Sequence, residues 1–283
     1  MGMKRVGVVG AGQMGNGIAQ VMASSGLDVV MMDLAQDAIE RGLATIRNSL
    51  SKLVEKEKIT AVERDAALAR IQTVNSLEAL AEVDVVIEAA TENEALKLRI
   101  FSDLDRICAP SAILATNTSS ISVTRIAAGT QRPDQVIGMH FFNPVPLMQL
   151  VEIIRALQTS EDTYRRIEDL ARTVGKHPIE ARDSFGFVAN RILMPMINEA
   201  VFVLQEGLTT AEDIDTAMKL GMNHPMGPLA LADLIGLDTC LSVMQVLYEG
   251  FNDSKYRPCP LLKQMVDAGY LGRKSGRGFH SYS

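Results

Sequence analysis

The stretch KRVGVVGAGQMGNGIAQVMASSGLDVVMMD (residues 4–33) runs from an apolar segment through a glycine cluster into an amphipathic segment. It ends in a second apolar run closed by an acid. Residues 6–9 read as a strand, Gly10-Ala-Gly-Gln-Met-Gly15 as a turn, and residues 18–24 as the helix that the turn opens. In such a turn Gly10 permits the sharp change of direction, Gly12 lets backbone approach a pyrophosphate, and Gly15 lets helix pack close to strand. The helix N-terminus offers N–H groups and a positive dipole end to phosphates. Asp33 closes the second strand 18 residues after Gly15, where a carboxylate accepts from ribose hydroxyls and repels a 2′-phosphate. A Rossmann-type sheet binding NAD rather than NADP is expected, with Gly10, Ala11, Gly12, Gln13, Met14, Gly15 and Asp33 contacting the cofactor.

Working outward, short apolar runs at 83–89, 112–115 and 136–139 continue the strand series begun at 4–9 and 28–32. Helical periods at 94–107 and 160–174 alternate with them, the βαβ signature of a mostly parallel sheet. Between Asp33 and Val83 lies a longer insert. Residues 36–58 are helical by period, and Thr60-Ala-Val-Glu63 is a capping box opening a second helix. An inserted helical hairpin over about 36–71 is therefore expected. Beyond Arg182-Asp-Ser-Phe-Gly186 only helical periods remain, at 187–206, 211–220, 229–248 and 261–268. The expected fold is α/β, with a dinucleotide-binding domain over 1–183 and an all-helical domain over 184–283.

A chain of 283 residues, 47% hydrophobic, can bury the cores of two domains. Its net charge of −6 argues against non-specific nucleic-acid binding, which needs a basic surface. The richest apolar stretch, 192–204, is interrupted by Asn198 and Glu199 and does not read as a membrane span. Residues 6–9 stop at the glycine cluster and read as a strand, not a signal peptide. Cys108, Cys240 and Cys259 are odd in number and widely spaced, fitting reduced thiols in a cytoplasmic protein.

Ligands of such sheets sit beyond the carboxyl ends of the strands. Ala90-Thr-Glu92 and Thr116-Asn-Thr-Ser119 both lie there and are expected to line one crevice. Either segment taken alone is equally a helix cap or an Asx turn. Of four histidines no pair has metal-ligand spacing, and no metal is expected. His140 stands at a strand terminus before Phe141-Phe-Asn-Pro-Val-Pro146, with Glu152 twelve residues on in another apolar run. A carboxylate there is costly to bury unless paired, and an adjacent His would pair it and form an acid–base couple. The residues alone leave open the alternative of a hydrogen-bonded core histidine and a strand-edge glutamate.

At this point the chain resembles the short-chain L-3-hydroxyacyl-CoA dehydrogenases over nearly its whole length. The resemblance is carried by GAGQMGNGIAQ (10–20), ATNTSS (115–120), GMHFFNPVPLMQLVEI (138–153), DSFGFVANRI (183–192) and GRKSGRGF (272–279). It implies that His140 is the catalytic base and Glu152 its orienting partner, with Ser119 and Asn190 holding the substrate's C3 oxygen. It implies further that Asp33, Glu92, Lys97, Asn117, Ser119, Asn143 and Lys274 contact NAD, and that Ser49 and Lys56 contact coenzyme A. An acyl-CoA substrate follows from the same resemblance. A homodimer through the second domain is expected because 187–206 and 229–248 carry more apolar surface than four short helices can cover among themselves, and the resemblance points the same way. Asn190 also lies in a segment, 187–206, that is apolar on most sides and is expected to be buried. An interhelical hydrogen bond is the other reading of that side chain. A hydroxyacid dehydrogenase using a lysine in its domain-spanning helix is disfavoured, because 187–206 contains none.

Overall fold

The computed structural model describes residues 3–282. The chain divides into two compact units, Met1–Ser184 and Phe185–Ser283. In the first, β1 (Arg5–Val9), β2 (Asp28–Met32), β4 (Val85–Glu88), β5 (Ile113–Thr116) and β6 (Val136–Phe141) are Val- and Ile-rich and almost wholly buried. Runs of this kind suit a parallel sheet covered on both faces. Three more strands complete it: β3 (Ile71–Val74), β7 (Leu150–Arg155) and β8 (His177–Arg182). The eight described strands lie in the order β3-β2-β1-β4-β5-β6-β7-β8. All neighbours run parallel except β6 and β7, which pair antiparallel with His140 opposite Glu152.

Helix α1 (Gln13–Ser24) follows β1, and its apolar side, with Ile18, Ala19 and Met22, joins the core beneath the sheet. The expected hairpin is present as α2 (Gln36–Glu55) and α3 (Ala61–Ala69). The Thr60 hydroxyl accepts from the Glu63 amide, and the Glu63 carboxylate accepts from the Thr60 amide. Helix α2 stops at Glu55, not at Lys58, because Glu57 turns left-handed (φ 54°) and Lys58 N–H closes back on the Leu53 carbonyl. The remaining helices of this unit are α4 (Glu94–Ile107), α5 (Val123–Ala128) and α6 (Glu161–Thr173).

The second unit comprises α7 (Ala189–Gln205), α8 (Ala211–Thr216), α9 (Pro228–Ile235), α10 (Leu237–Phe251) and α11 (Pro260–Asp267) around their own apolar core. Two expectations are corrected here. The apolar run 229–248 is not one helix. Gly236, at φ 104°, breaks it into α9 and α10, which meet at 99°. Nor is α7 buried all round, since Ile192 on its first turns is 68% exposed. No single described helix is long and apolar enough to cross a membrane.

Candidate active site

At the carboxyl end of β1 the chain turns through Gly10, whose φ of 101° is left-handed. A side chain on Gly15 would sit 1.8 Å from the Gly10 carbonyl oxygen, so α1 packs onto the turn at backbone distance. Above Gly12 there is open space, with no atom within 4 Å of where a Cβ would lie. No side chain caps α1, and no acid stands in its first turn. Its amides and dipole are therefore directed at a cradle suited to a pyrophosphate. Asp33 is drawn to the same turn: one carboxylate oxygen accepts from Ala11 N–H at 2.9 Å, the other from Ala35 N–H at 3.0 Å. Each oxygen keeps acceptor capacity for a ribose hydroxyl.

A cleft of about 310 Å³ extends from Gly12, Gln13 and Met14 across the ends of β4 and β5 to Glu92 and Asn117. Glu92 organises its far side. Its carboxylate accepts from the Thr118 hydroxyl at 2.7 Å and from the amide and hydroxyl of Ser119 at 2.8 and 3.2 Å. Asn117 fixes the end of β6 by accepting from Phe141 N–H at 2.9 Å. Ala90, Thr91 and Thr118, expected from the sequence to line one crevice, belong to this lining, as does Ala89, which sequence reasoning did not single out.

Lys97 borders the cleft, but its ammonium is paired with Glu88 in a wholly buried ion pair. Glu88 also accepts from Ala90 N–H at 2.9 Å and from the Thr116 hydroxyl at 3.1 Å, so it ties the ends of two strands together. The lone acid closing the run Val85-Val-Ile-Glu88 is the signal that could have found it. Lys274 likewise has a partner in its own unit, donating to both Asp238 oxygens at 2.6 and 2.7 Å.

His140 and Glu152 are cross-strand neighbours on β6 and β7, and their twelve-residue spacing is the span of that antiparallel pair. The imidazole is 8% exposed and the carboxylate not at all. Nδ1 lies 2.8 Å from Glu152 Oε2, and the Phe142 ring tilts against the imidazole at 4.6 Å. A second cleft, of about 410 Å³, is bounded by α1, by Ser49, Lys52 and Lys56 of the α2 segment, and by the loop Asn143–Leu147. It brings both expected coenzyme A residues together with Asn143. Asn190 lies in the second unit, half-buried on the first turn of α7.

A cradle of this construction takes a dinucleotide, and the chain is an NAD-dependent oxidoreductase. It belongs to the 3-hydroxyacyl-CoA dehydrogenase family, whose NAD binding domain matches residues 5–184 and whose C-terminal domain matches 186–282. It is 55% identical over 282 residues to a probable 3-hydroxybutyryl-CoA dehydrogenase of Bacillus subtilis, covering 100% of this chain and 98% of that protein. It is 54% identical over 280 residues to a 3-hydroxybutyryl-CoA dehydrogenase of Bradyrhizobium diazoefficiens, covering 99% and 96%. The crystal structure of an (S)-3-hydroxybutyryl-CoA dehydrogenase from Ralstonia eutropha superposes with a TM-score of 0.97 at 57% identity, covering 99% of each chain.

Proposed function

We propose that this dehydrogenase interconverts (S)-3-hydroxybutanoyl-CoA and acetoacetyl-CoA, with His140 and Glu152 as its acid–base pair. The observation that carries the mechanism is the buried 2.8 Å contact between His140 Nδ1 and Glu152 at the end of β6. The bound nicotinamide supplies the acceptor or donor for a hydride at C3. With a carboxylate at Nδ1, the imidazole keeps its proton there and its lone pair on Nε2. In oxidation His140 takes the C3 hydroxyl proton, and Glu152 offsets the charge of the imidazolium; in reduction His140 returns that proton to the ketone oxygen.

Ser119, held by Glu92, and Asn190 are assigned the hydrogen bonds to the C3 oxygen, where charge changes during the reaction. Asp33 is assigned the ribose hydroxyls, with Glu92, Lys97, Asn117, Asn143 and Lys274 completing the NAD contacts. Ser49 and Lys56, joined by Lys52 on the same cleft, are assigned coenzyme A. The domain division at 183/184 and a homodimer through the helical unit belong to this reading. So does a cytoplasmic location, which fits three free, buried thiols. The short-chain substrate is supported by the names of the relatives above.

The test is NADH consumption with acetoacetyl-CoA, repeated with longer 3-ketoacyl-CoAs and with NADPH. Turnover that favours acetoacetyl-CoA and NADH supports the proposal. Preference for a long chain or for NADPH refutes the corresponding part.

A further inference from the structure

Lys176 is a buried cation that the reaction does not use. Its backbone is fixed on both sides: Gly175, at φ 74°, ends α6, Lys176 N–H closes onto the Ala171 carbonyl at 2.9 Å, and β8 begins at the next residue. Lys176 is 9% exposed, and among the described residues no carboxylate pairs with it. Desolvation pulls the ammonium below the ordinary lysine value. It donates instead to two backbone carbonyls of one loop, Val145 at 2.5 Å and Met148 at 2.7 Å.

That loop begins three residues after His140, beyond the end of β6, and forms one wall of the cleft that holds Ser49, Lys52 and Lys56. Its inner side rests on Val145, which is 2% exposed and so close to α1 that a Cβ on Gly17 would lie 2.9 Å from the Val145 Cβ. Its outer side presents Leu147, 68% exposed. The turn itself is closed by Leu147 and Met148 N–H, both donating to the Pro144 carbonyl at 3.0 Å. Without the ammonium, two carbonyls turned inward would lack their charged donor, an expensive state for buried backbone.

We infer that Lys176 is a positioning residue for the acyl-CoA site, clamping the loop Asn143–Met148 so that its outer face is preformed against the α2 lysines. This rests on the reading of that cleft as the coenzyme A site. A loop released from the clamp populates the binding-competent shape for only a fraction of the time, and apparent affinity falls by that fraction. Asp33 and the glycine turn are built from other elements and only Asn143 is shared with this loop, so NADH binding changes far less than acyl-CoA binding.

The test uses Lys176→Met, which keeps most of the stem and removes the donors, and Lys176→Gln, which keeps one amide donor on a shorter stem. Hydrogen exchange of the Leu147 and Met148 amides is followed in the ligand-free protein, and steady-state kinetics on acetoacetyl-CoA and NADH. In Lys176→Met, exchange at both amides accelerates about tenfold or more and KM for acetoacetyl-CoA rises about tenfold, the loss expected for charge-assisted hydrogen bonds. KM for NADH and kcat both move far less than KM for acetoacetyl-CoA. Lys176→Gln falls between the two proteins, and stands in for Lys176→Met should the latter fail to fold. Unchanged exchange in the loop overturns the clamp. Faster exchange with an unchanged KM for acetoacetyl-CoA overturns its link to the cleft. A wild-type protein inactive on acetoacetyl-CoA refutes the functional reading instead, and the exchange measurement still decides whether Lys176 holds the loop.

Discussion

His140 and Glu152 face each other across a single antiparallel register pair, with the carboxylate sealed from solvent. His140→Gln keeps the bulk of the ring's polar end and abolishes proton transfer, so kcat should fall by roughly 10²–10⁴-fold with NADH affinity nearly intact. Glu152→Gln preserves the hydrogen-bonding shape and removes the charge that the imidazolium needs. It should lose kcat as well, while His140→Gln/Glu152→Gln together should be little worse than the worse single change, because the pair acts as a unit. Stopped-flow reduction of acetoacetyl-CoA alongside NADH fluorescence titration separates the two effects, and a His140 variant with most of its turnover would end the assignment. At Asp33 the argument concerns cofactor choice. Loss of a carboxylate that binds ribose hydroxyls costs a charged hydrogen bond, about ten- to a hundredfold in NADH affinity, and removes the repulsion of a 2′-phosphate. Asp33→Ala should therefore raise KM for NADH and lower the NADH/NADPH preference together. An unmodified protein preferring NADPH would show that this carboxylate is misread.

At the scale of elements, α2 carries the charge that an acidic protein needs in order to hold a strongly anionic coenzyme. Ser49, Lys52 and Lys56 share one cleft, and both lysines are exposed. An exposed charge contact is worth about 0.2–1 kcal/mol, so Lys56→Ala should raise KM for acetoacetyl-CoA by no more than about fivefold, and more at low salt. It should leave KM for acetoacetyl-pantetheine unchanged, since that substrate lacks the nucleotide phosphates. Equal effects on both substrates would make Lys56 a support of the hairpin, at whose turn α2 ends. The central strands of the sheet were legible as unbroken apolar runs because both of their faces are covered. The edge strands β3 and β8 were not. Gln72 is exposed and Pro178 interrupts the run, patterns that an edge tolerates because one side of the ladder is unpaired. Helix α9 merged with α10 in the sequence because the apolar period continues through Gly236, and only its backbone angle reveals the corner. The same distinction holds in the site. His140 and Glu152 were legible as a strand-end histidine and an acid in the next apolar run, with a core histidine left open, whereas the Glu88–Lys97 pair depends on how α4 lies over the end of β4, which no spacing states.

At the scale of the whole molecule, apolar surface is distributed unevenly. Seven of the thirteen large hydrophobic side chains exposed among the described residues belong to the smaller, helical unit, Ile192, Leu220, Met222 and Leu234 among them. Single exposed apolar residues need no explanation, but a concentration of them on a short helical unit is what the proposed homodimer would cover. A second copy is the simplest occupant, because a two-fold contact places the same patch on both sides and closes the assembly. Light scattering should therefore give twice the 30.8 kDa chain mass at micromolar concentration. Ile192→Glu and Leu234→Glu each place a charge on this surface without entering either core, since both side chains are more than half exposed in the single chain. An unpaired carboxylate buried in an apolar contact costs several kcal/mol, enough to shift a micromolar dimer toward monomer while leaving each unit folded. Circular dichroism matching the wild type, with the scattering mass halved, is the expected pair of results. A wild-type protein that is already a monomer of 30.8 kDa would show that the helical unit's apolar surface serves something other than a second copy.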